Sequence, residues 1–292
     1  MNRPTLSERC FDATNALFLT LLMLVTVYPI IYVAFASVSD ASMLMAFNGI
    51  LWKPLGFSLD AYRSVFENPM ILKGYGNTFF VVLTGLVFNI LLTSLGAYAL
   101  SRKSLKYRKH LMLFIVFTMF FSGGLIPFYL TVKGVGLANT LWALIIPQAI
   151  NTFNLILMKT AFEAIPDALE ESAKMDGAND FVILFRIILP LSMPVIAVML
   201  LYYGVSHWNS WFHALIFLQD RSMYPLQLIL REILLQGEAS SMAVGASATD
   251  VVMLSVTLKY ATIIVATVPI LLVYPFLQKY FVKGALIGAI KG

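Results

Sequence analysis

Cysteine and histidine are scarce in this sequence of 292 residues. Cys10 is the single cysteine, and the histidines are His110, His207 and His213. One cysteine cannot form a disulfide framework or a thiolate metal site within the chain. The three histidines are too scattered to predict a metal site, and His110, which follows Lys109, reads as an interfacial residue. We therefore predict that the chain holds no metal.

Motifs for nucleotide binding and for hydrolysis are also missing. The sequence contains no G-x-x-x-x-G-K-[ST], so it cannot hold a nucleotide in the manner of a P-loop. It contains no H-E-x-x-H and no G-x-S-x-G, the patterns of zinc proteases and of serine hydrolases. We predict that the chain is not an enzyme, that it binds no cofactor, and that any energy source lies on a partner.

Charged residues are few, at 12% of the chain against about 25% in soluble domains. Hydrophobic residues make up 60%, the mean hydropathy is +0.84, and several apolar runs reach the ~20 residues that cross a bilayer as a helix. The sequence therefore predicts an all-α polytopic membrane protein. The net charge of +5 is small for this length and gives no indication of nucleic-acid binding.

Six apolar runs predict six transmembrane helices in a single domain that covers residues 1–292. The predicted spans are approximately 16–37, 77–100, 111–130, 141–158, 185–217 and 259–281. Five basic residues between positions 102 and 109 mark the cytoplasmic side by the positive-inside rule, which places both termini in the cytoplasm. After the fifth span, PLQLILREILLQ predicts a short amphipathic helix on the membrane surface.

The longest polar interruption on the predicted cytoplasmic side is the stretch 165–194. It overlaps a predicted cytoplasmic loop, residues 161–184, and this loop is called the polar loop below. Pro166 favours a first helical turn, and Gly177 suits the left-handed position that ends a helix. Asn179 or Asp180 then caps the next helix. The prolines predicted to bend that next helix near its start are Pro190 and Pro194.

The spacing of residues in this stretch follows a known pattern. Glu171, Ser172 and Ala173 are followed by Gly177 and then by Ile187, Leu189 and Pro190. The stretch resembles the EAA loop of bacterial ABC importer permeases, whose form is E-A-A, three residues, G, nine residues, I-x-L-P. The D-G-A at 176–178 also matches, and the one departure is Ser172 in place of an alanine.

Other parts of the chain carry the resemblance further. The sequence W-N-S-W-F at 208–212 and the closing LLVYPFLQKYFVKGALIGAIKG are similar to permeases of the carbohydrate uptake class, which includes the maltose importer. Within that class, IPFYLTVKGVGLANTLWALIIPQAINTFNLILMKTAF is similar to the LplC/YtcP-like subgroup. The resemblance therefore covers nearly the whole chain.

This resemblance implies the type I (MetI-like) permease fold, in which a cytoplasmic coupling helix docks into a groove on an ATPase. The residues it assigns to ATPase coupling are Asp167, Leu169, Glu170, Glu171, Ala173, Asp176, Gly177 and Ala178. The sequence alone leaves open whether Glu171 meets the ATPase or bonds within its own loop.

The resemblance also implies partners and a place in the cell. The partners are a second permease subunit, two ATPase subunits that bind ATP and magnesium, and an extracytoplasmic solute-binding protein. The location is the bacterial inner membrane. The cargo is an oligo- or polysaccharide, and members of the subgroup are associated with uronate-containing ones such as alginate or oligogalacturonides.

Polar side chains inside predicted spans are candidates for the substrate path, because they are costly in a membrane. Gln148, Asn151 and Asn154 recur every three residues and would share one helix face, where they could meet sugar hydroxyls. The alternative is that these amides only join helices, as we expect for Asn89.

A second candidate set lies in the outer half of the fifth predicted span and consists of His207, Trp208, Asn209, Trp211 and His213. Of these, His207, Trp208 and Asn209 are the candidates for the substrate path. An aromatic ring can stack on a sugar while an amide or imidazole meets its hydroxyls. The alternative is an aromatic belt at the membrane surface, which we favour for Trp211.

Two other functions remain open from the sequence. One is an ABC permease for peptides or amino acids, against which the carbohydrate-like tail and the W-N motif argue. The other, from a different class, is a six-span membrane scaffold or enzyme without a transport role, for which no reactive group of residues is visible.

Overall fold

The computed structural model describes residues 5–242, 256–273 and 275, and within these ranges every regular element is a helix. The all-α prediction is therefore confirmed for the described residues. The α-helices are α1 Leu6–Ser37, α2 Ala41–Ala46, α3 Asp60–Glu67, α4 Pro69–Ser101, α5 Arg108–Phe120, α6 Leu125–Gly134, α7 Thr152–Glu163, α8 Asp167–Met175, α9 Asp180–Ile183, α10 Leu189–Leu191, α11 Met193–Trp208, α12 Phe212–Phe217, α13 Leu226–Met242 and α14 Val256–Val273. Short 3-10 turns are Leu141–Leu144, Ile146–Gln148 and Arg221–Met223, and Leu184–Ile188 is a π-helix.

Three of the described helices, α1, α4 and α14, are long and apolar enough to cross a membrane. Three bent pairs bring the number to as many as six, if each pair is one span. The chain bends by 114° between α5 and α6 and by 48° between the 3-10 turns of Leu141–Gln148 and α7. It bends by 86° between the helical stretch Asp180–Leu191 and α11. The exact limits of the predicted spans stay predictions. The C-terminal tail beyond residue 275 lies outside the described residues, so what the sequence predicts for it also stays a prediction.

The described chain forms two compact units. One contains α1 to α3 with parts of α13 and α14, and its core is formed by Ala36, Leu44 and Leu51, packed by Tyr32 and Tyr260 among others. Along α1 most apolar side chains are exposed within the described structure, as expected of a helix whose surroundings are lipid or another subunit.

The other unit runs from Met70 to Ile229 and includes the described residues 269–273 and 275. Its main core joins α4, α7 and α11 through buried side chains such as Tyr98, Met158 and Met199. Ala173 of α8 belongs to the same core, so the polar loop is packed against the spans.

The start of α13 differs from the prediction of a surface helix. Leu226, Leu228 and Ile229 are at most 2% exposed. Gly74 makes this packing possible, because a Cβ there would lie 2.5 Å from Ile229 Cδ1 and 3.1 Å from Leu226 Cα. Asn77 Nδ2 also donates to two carbonyls just ahead of α13, at 2.9 and 3.0 Å. The start of this amphipathic helix therefore packs inside the protein, and the surface prediction is wrong for it.

The bend before α11 has a local cause. Pro190 has no N–H, so the regular bond four residues back is missing. The chain widens into the π-helix Leu184–Ile188, and the Leu189 N–H bonds the Leu184 carbonyl. Pro194 lies in the first turn of α11, after the break at Ser192. The predicted bend is confirmed. After it the chain continues into α11, which packs in the main core of this unit.

Candidate functional site

The polar loop folds as its turn residues predict. Pro166 is the residue just ahead of α8, and Gly177 ends that helix in the left-handed region at φ +81°. The Ala178 N–H reaches the Ala173 carbonyl at 2.9 Å, which is the closing bond of a Schellman turn. Of the two predicted caps, Asn179 performs the role, since its side chain accepts the Val182 N–H at 2.9 Å.

Helix α8 is tied to the short basic loop that follows α4. The Glu170 side chain is only 11% exposed and pairs with Arg102 and, at 2.7 Å, with Lys174. Arg102 lies over the Tyr98 ring of α4 at 4.6 Å. Lys103 contacts Asp167 at 2.5 Å, and this hydrogen bond and charge lower the pKa of the Asp167 carboxyl.

Two more acids of the loop are paired in the same way. Glu163 pairs with Arg108 and, at 2.7 Å, with Lys159. Asp180 lies 3.6 Å from the Lys174 ammonium. The sequence reasoning used the basic loop only to orient the chain and missed these pairs. The sequence did contain a signal for these pairs, because the clustered basic residues and the clustered acidic residues are predicted to lie on the same side of the membrane.

The outer face of α8 remains open. Leu169 is 43% exposed and Met175 is 89% exposed. Glu171 and Asp176 are exposed, and their carboxylates have no hydrogen bond or ion pair to any described residue. The predicted coupling residues therefore divide into an inward set that attaches the helix and an outward set that is free to meet another molecule.

A cavity of about 390 Å³ lies between α7 and α11 in the same unit. Four of the six predicted path residues line it, together with two tyrosines and a serine of α11. The polar lining residues are Gln148, Asn151, Asn154, Tyr202, Tyr203, Ser206 and His207.

The cavity wall depends on a break in the chain ahead of α7. Asn89, fully buried on α4, donates to the Gln148 carbonyl at 2.8 Å and to the Ala149 carbonyl at 3.0 Å. The side-chain oxygen of Asn89 can only accept, so His207 Nε2 donates to it, at 2.7 Å. Tyr203 accepts the Asn151 N–H at 3.0 Å. Side chains thus satisfy backbone groups that the broken helix leaves open, as a membrane requires.

The three amides of the fourth predicted span do not lie on one continuous helix. Asn151 is the N-cap of α7 and accepts the Asn154 N–H at 3.2 Å, while Gln148 lies before the bend and contacts His213 Nδ1 at 2.9 Å. The Asn154 side-chain amide has no hydrogen-bond partner among the described residues. Asn89 therefore joins helices as expected, and Asn154 presents a free amide to the cavity.

Trp208 and Asn209 do not line this cavity. Trp208 is 6% exposed and packs on the rings of Tyr75 and Phe79, with centroids 6.4 and 5.9 Å away. Asn209 is exposed at the end of α11 and donates to the Val205 carbonyl at 3.0 Å. Of the second predicted set, only His207 reaches the cavity.

Comparison with known families matches residues 93–286 to the binding-protein-dependent transport system inner membrane component. The chain belongs to this family. The matched residues include the polar loop, the cavity and the break ahead of α7. The resemblance inferred from the EAA spacing is therefore confirmed, and the chain is a permease subunit of an ABC transporter in the inner membrane, not an enzyme.

Two relatives from Bacillus subtilis (strain 168) are similar over nearly their whole length. The polygalacturonan/rhamnogalacturonan transport system permease protein YtcP is 46% identical over 98% of this chain and 100% of the relative. Protein LplC is 42% identical over 99% of this chain and 97% of the relative.

The solved structures agree on the fold. A chain of a bacterial ABC transporter involved in the import of the acidic polysaccharide alginate superposes with a TM-score of 0.87 at 33% identity, covering 96% of this chain and 100% of the other. A chain from a bacterial alginate ABC transporter in complex with an alginate pentasaccharide-bound periplasmic protein gives a TM-score of 0.57 at 19% identity, over 92% and 93% of the two chains. The second likeness shows the fold alone.

Replacing Arg102 tests how α8 is held. Arg102→Gln leaves the Glu170 carboxylate partly buried with Lys174 as its remaining partner, and we expect the free energy of unfolding to fall by about 2 kcal/mol in a denaturant titration in detergent. Arg102→Gln combined with Glu170→Gln should recover most of this loss, because no buried charge is left over.

The control is Arg63→Gln, which removes an ion pair to Glu67 whose side chains are 78% and 64% exposed. It should change the free energy of unfolding by less than about 0.5 kcal/mol. An equal effect at Arg63 and Arg102 would contradict a specific role for the Arg102–Glu170 pair.

Proposed function

We propose that this permease subunit forms half of the path by which an ATP-driven, binding-protein-dependent importer carries oligo- or polysaccharides, including uronate-containing ones. The observation that carries this proposal is the full-length similarity to a permease named for polygalacturonan and rhamnogalacturonan transport. The likeness to a transporter of alginate, another acidic polysaccharide, supports it. Neither relative's name supports the alternative of a peptide or amino acid permease.

The chemistry of the cavity suits a sugar. In the part of the chain that the structure describes, its lining offers amides, hydroxyls and an imidazole and contains no lysine, arginine or carboxylate. Such groups form hydrogen bonds with hydroxyls without the strong binding that a buried charge would cause. Asn154 is the amide best placed for this contact, since it has no partner of its own in the described structure. Trp208 and Asn209, which lie outside the cavity, are not part of this proposal.

The proposed assembly contains a second permease subunit, two ATPase subunits that bind ATP and magnesium, and an extracytoplasmic solute-binding protein. Both termini and the polar loop lie on the cytoplasmic side. The basic loop after α4 supports this orientation by the positive-inside rule. Helix α8 is the coupling helix, and its outward residues Leu169, Glu171 and Asp176 contact the ATPase.

The contacts of α8 suggest how motion reaches the cavity. Glu170 pairs with Arg102 at the end of α4, and Ala173 packs in the core shared with α7 and α11. Helix α4 carries Asn89, which bonds His207 of α11 at the cavity wall. When ATP binding draws the ATPases together, displacement of α8 moves α4 and α11 as nearly rigid bodies and opens the path.

Asn154→Leu tests the cavity as the sugar path. Loss of one hydrogen bond to a hydroxyl should lower uptake of an oligogalacturonide about fivefold at low concentration, with little change in protein yield. The measurement is uptake into proteoliposomes that contain the assembled importer. Asn209→Leu is the matched control outside the cavity and should retain uptake. Normal uptake by the Asn154 variant, or a loss confined to the Asn209 variant, would count against this path.

Gly177→Val tests coupling. A β-branched residue cannot adopt φ +81° without strain, whereas a Cβ at this position meets no atom of a described residue within 4 Å. The effect therefore comes from the backbone. We expect normal membrane insertion and continued ATP hydrolysis with uptake reduced at least tenfold. Gly177→Asn, which tolerates the left-handed region, should retain most uptake. Full uptake with valine would show that the turn is not needed for coupling.

A further inference from the structure

A basic cleft lies beside the polar loop, and the proposed transport does not use it. It is an open groove of about 880 Å³ between the end of α4, the start of α5 and the end of α7. Among the described residues, five cations line it and no carboxylate does. The cations are Lys103, Lys106, Arg108, Lys109 and Lys159.

Internal ion pairs use only part of this charge. Asp167 contacts Lys103, and Glu163 contacts both Arg108 and Lys159. Two carboxylates against five cations leave an excess of three positive charges. Lys106 and Lys109 are exposed, and within the described ranges neither has a carboxylate partner. The cleft therefore has the charge to bind an anion from outside the chain.

One residue that lines the cleft has an unusual backbone conformation. Tyr107 adopts φ +61° and is 64% exposed, although a bulky residue rarely occupies the left-handed region. Its ring lies 5.1 Å from the Lys106 ammonium and packs against His110. An exposed tyrosine beside lysines is the pattern of a membrane interface.

The surroundings of the cleft are polar at one end and apolar at the other. Helix α5 begins with Arg108 and Lys109, and within two turns it presents Leu113 and Phe114, which are 70% and 71% exposed. Met112 lines the cleft itself. A free phosphate or nucleotide would use only the charged end. A molecule with an anionic head and apolar chains would use both.

We propose that the basic cleft binds the phosphate headgroup of an anionic phospholipid from the surrounding leaflet, with its acyl chains along the exposed apolar face of α5. Lys106 and Lys109 supply the unpaired charge for the phosphate. The site is independent of which solute the importer carries, because it depends only on the chain lying in a bilayer. Charge at the membrane surface contributes about fivefold in affinity for each lysine.

The experiment compares binding of phosphatidylglycerol and of phosphatidylcholine to the purified full-length permease by native mass spectrometry titration. The test variant is Lys106→Gln with Lys109→Gln, and the control is Lys133→Gln, an exposed lysine at the end of α6. We expect wild type and the Lys133 variant to retain phosphatidylglycerol over phosphatidylcholine, and the double variant to bind phosphatidylglycerol roughly 25-fold more weakly.

A second variant guards against misfolding. Lys106→Arg with Lys109→Arg keeps the charges and should restore binding. Equal binding of the two lipids to wild type, or undiminished phosphatidylglycerol binding in the glutamine variant, would overturn the proposal. Displacement of the lipid by millimolar inorganic phosphate would assign the cleft to free phosphate instead. Loss of ATPase co-purification with unchanged lipid binding would assign it to a protein contact, and either result also overturns it.

Discussion

The ion pair between Arg102 and Glu170 joins the polar loop to the membrane-spanning part of the protein. A carboxylate that is 11% exposed needs such a partner, because an unpaired buried charge is strongly unfavourable. The pair attaches α8 at the end of α4, while Ala173 on the same helix enters the hydrophobic core. The inner side of α8 is therefore held by the protein, and its outer side, with Glu171 and Met175, is left for a partner.

A second set of polar contacts continues from this anchor. Helix α4 carries Asn89, whose amide satisfies two carbonyls at the break ahead of α7 and whose oxygen accepts from His207 of α11. A membrane does not hydrate backbone groups, so a broken span is stable only where side chains replace the missing bonds. The break lies beside the cavity that the buried Asn154 lines. The same helix that receives α8 thus forms part of the cavity wall.

Local features of this structure were predictable from the sequence, and long-range contacts were not. Gly177 and Asn179 act through their own backbone and nearest neighbours, so their roles in ending and starting helices follow from residue type and spacing. The Arg102–Glu170 pair joins residues far apart in the chain, and the positive-inside rule predicts only that both lie on the same side of the membrane. The start of α13 was placed wrongly because an apolar residue such as Leu226 suits a lipid surface and a protein interior equally well. The EAA spacing succeeded because it specifies many positions at once.

Membrane topology at position 171 tests the central claim most directly, which is that the outer face of α8 meets the ATPases in the cytoplasm. Cys10, the single cysteine of the sequence, is first replaced by serine, and Glu171→Cys is introduced in that background. A membrane-impermeant maleimide should fail to label this cysteine in intact cells and should label it in inverted membrane vesicles, with protection when the ATPase subunits are bound. Labelling in intact cells would place α8 on the outer side of the membrane and would contradict the account.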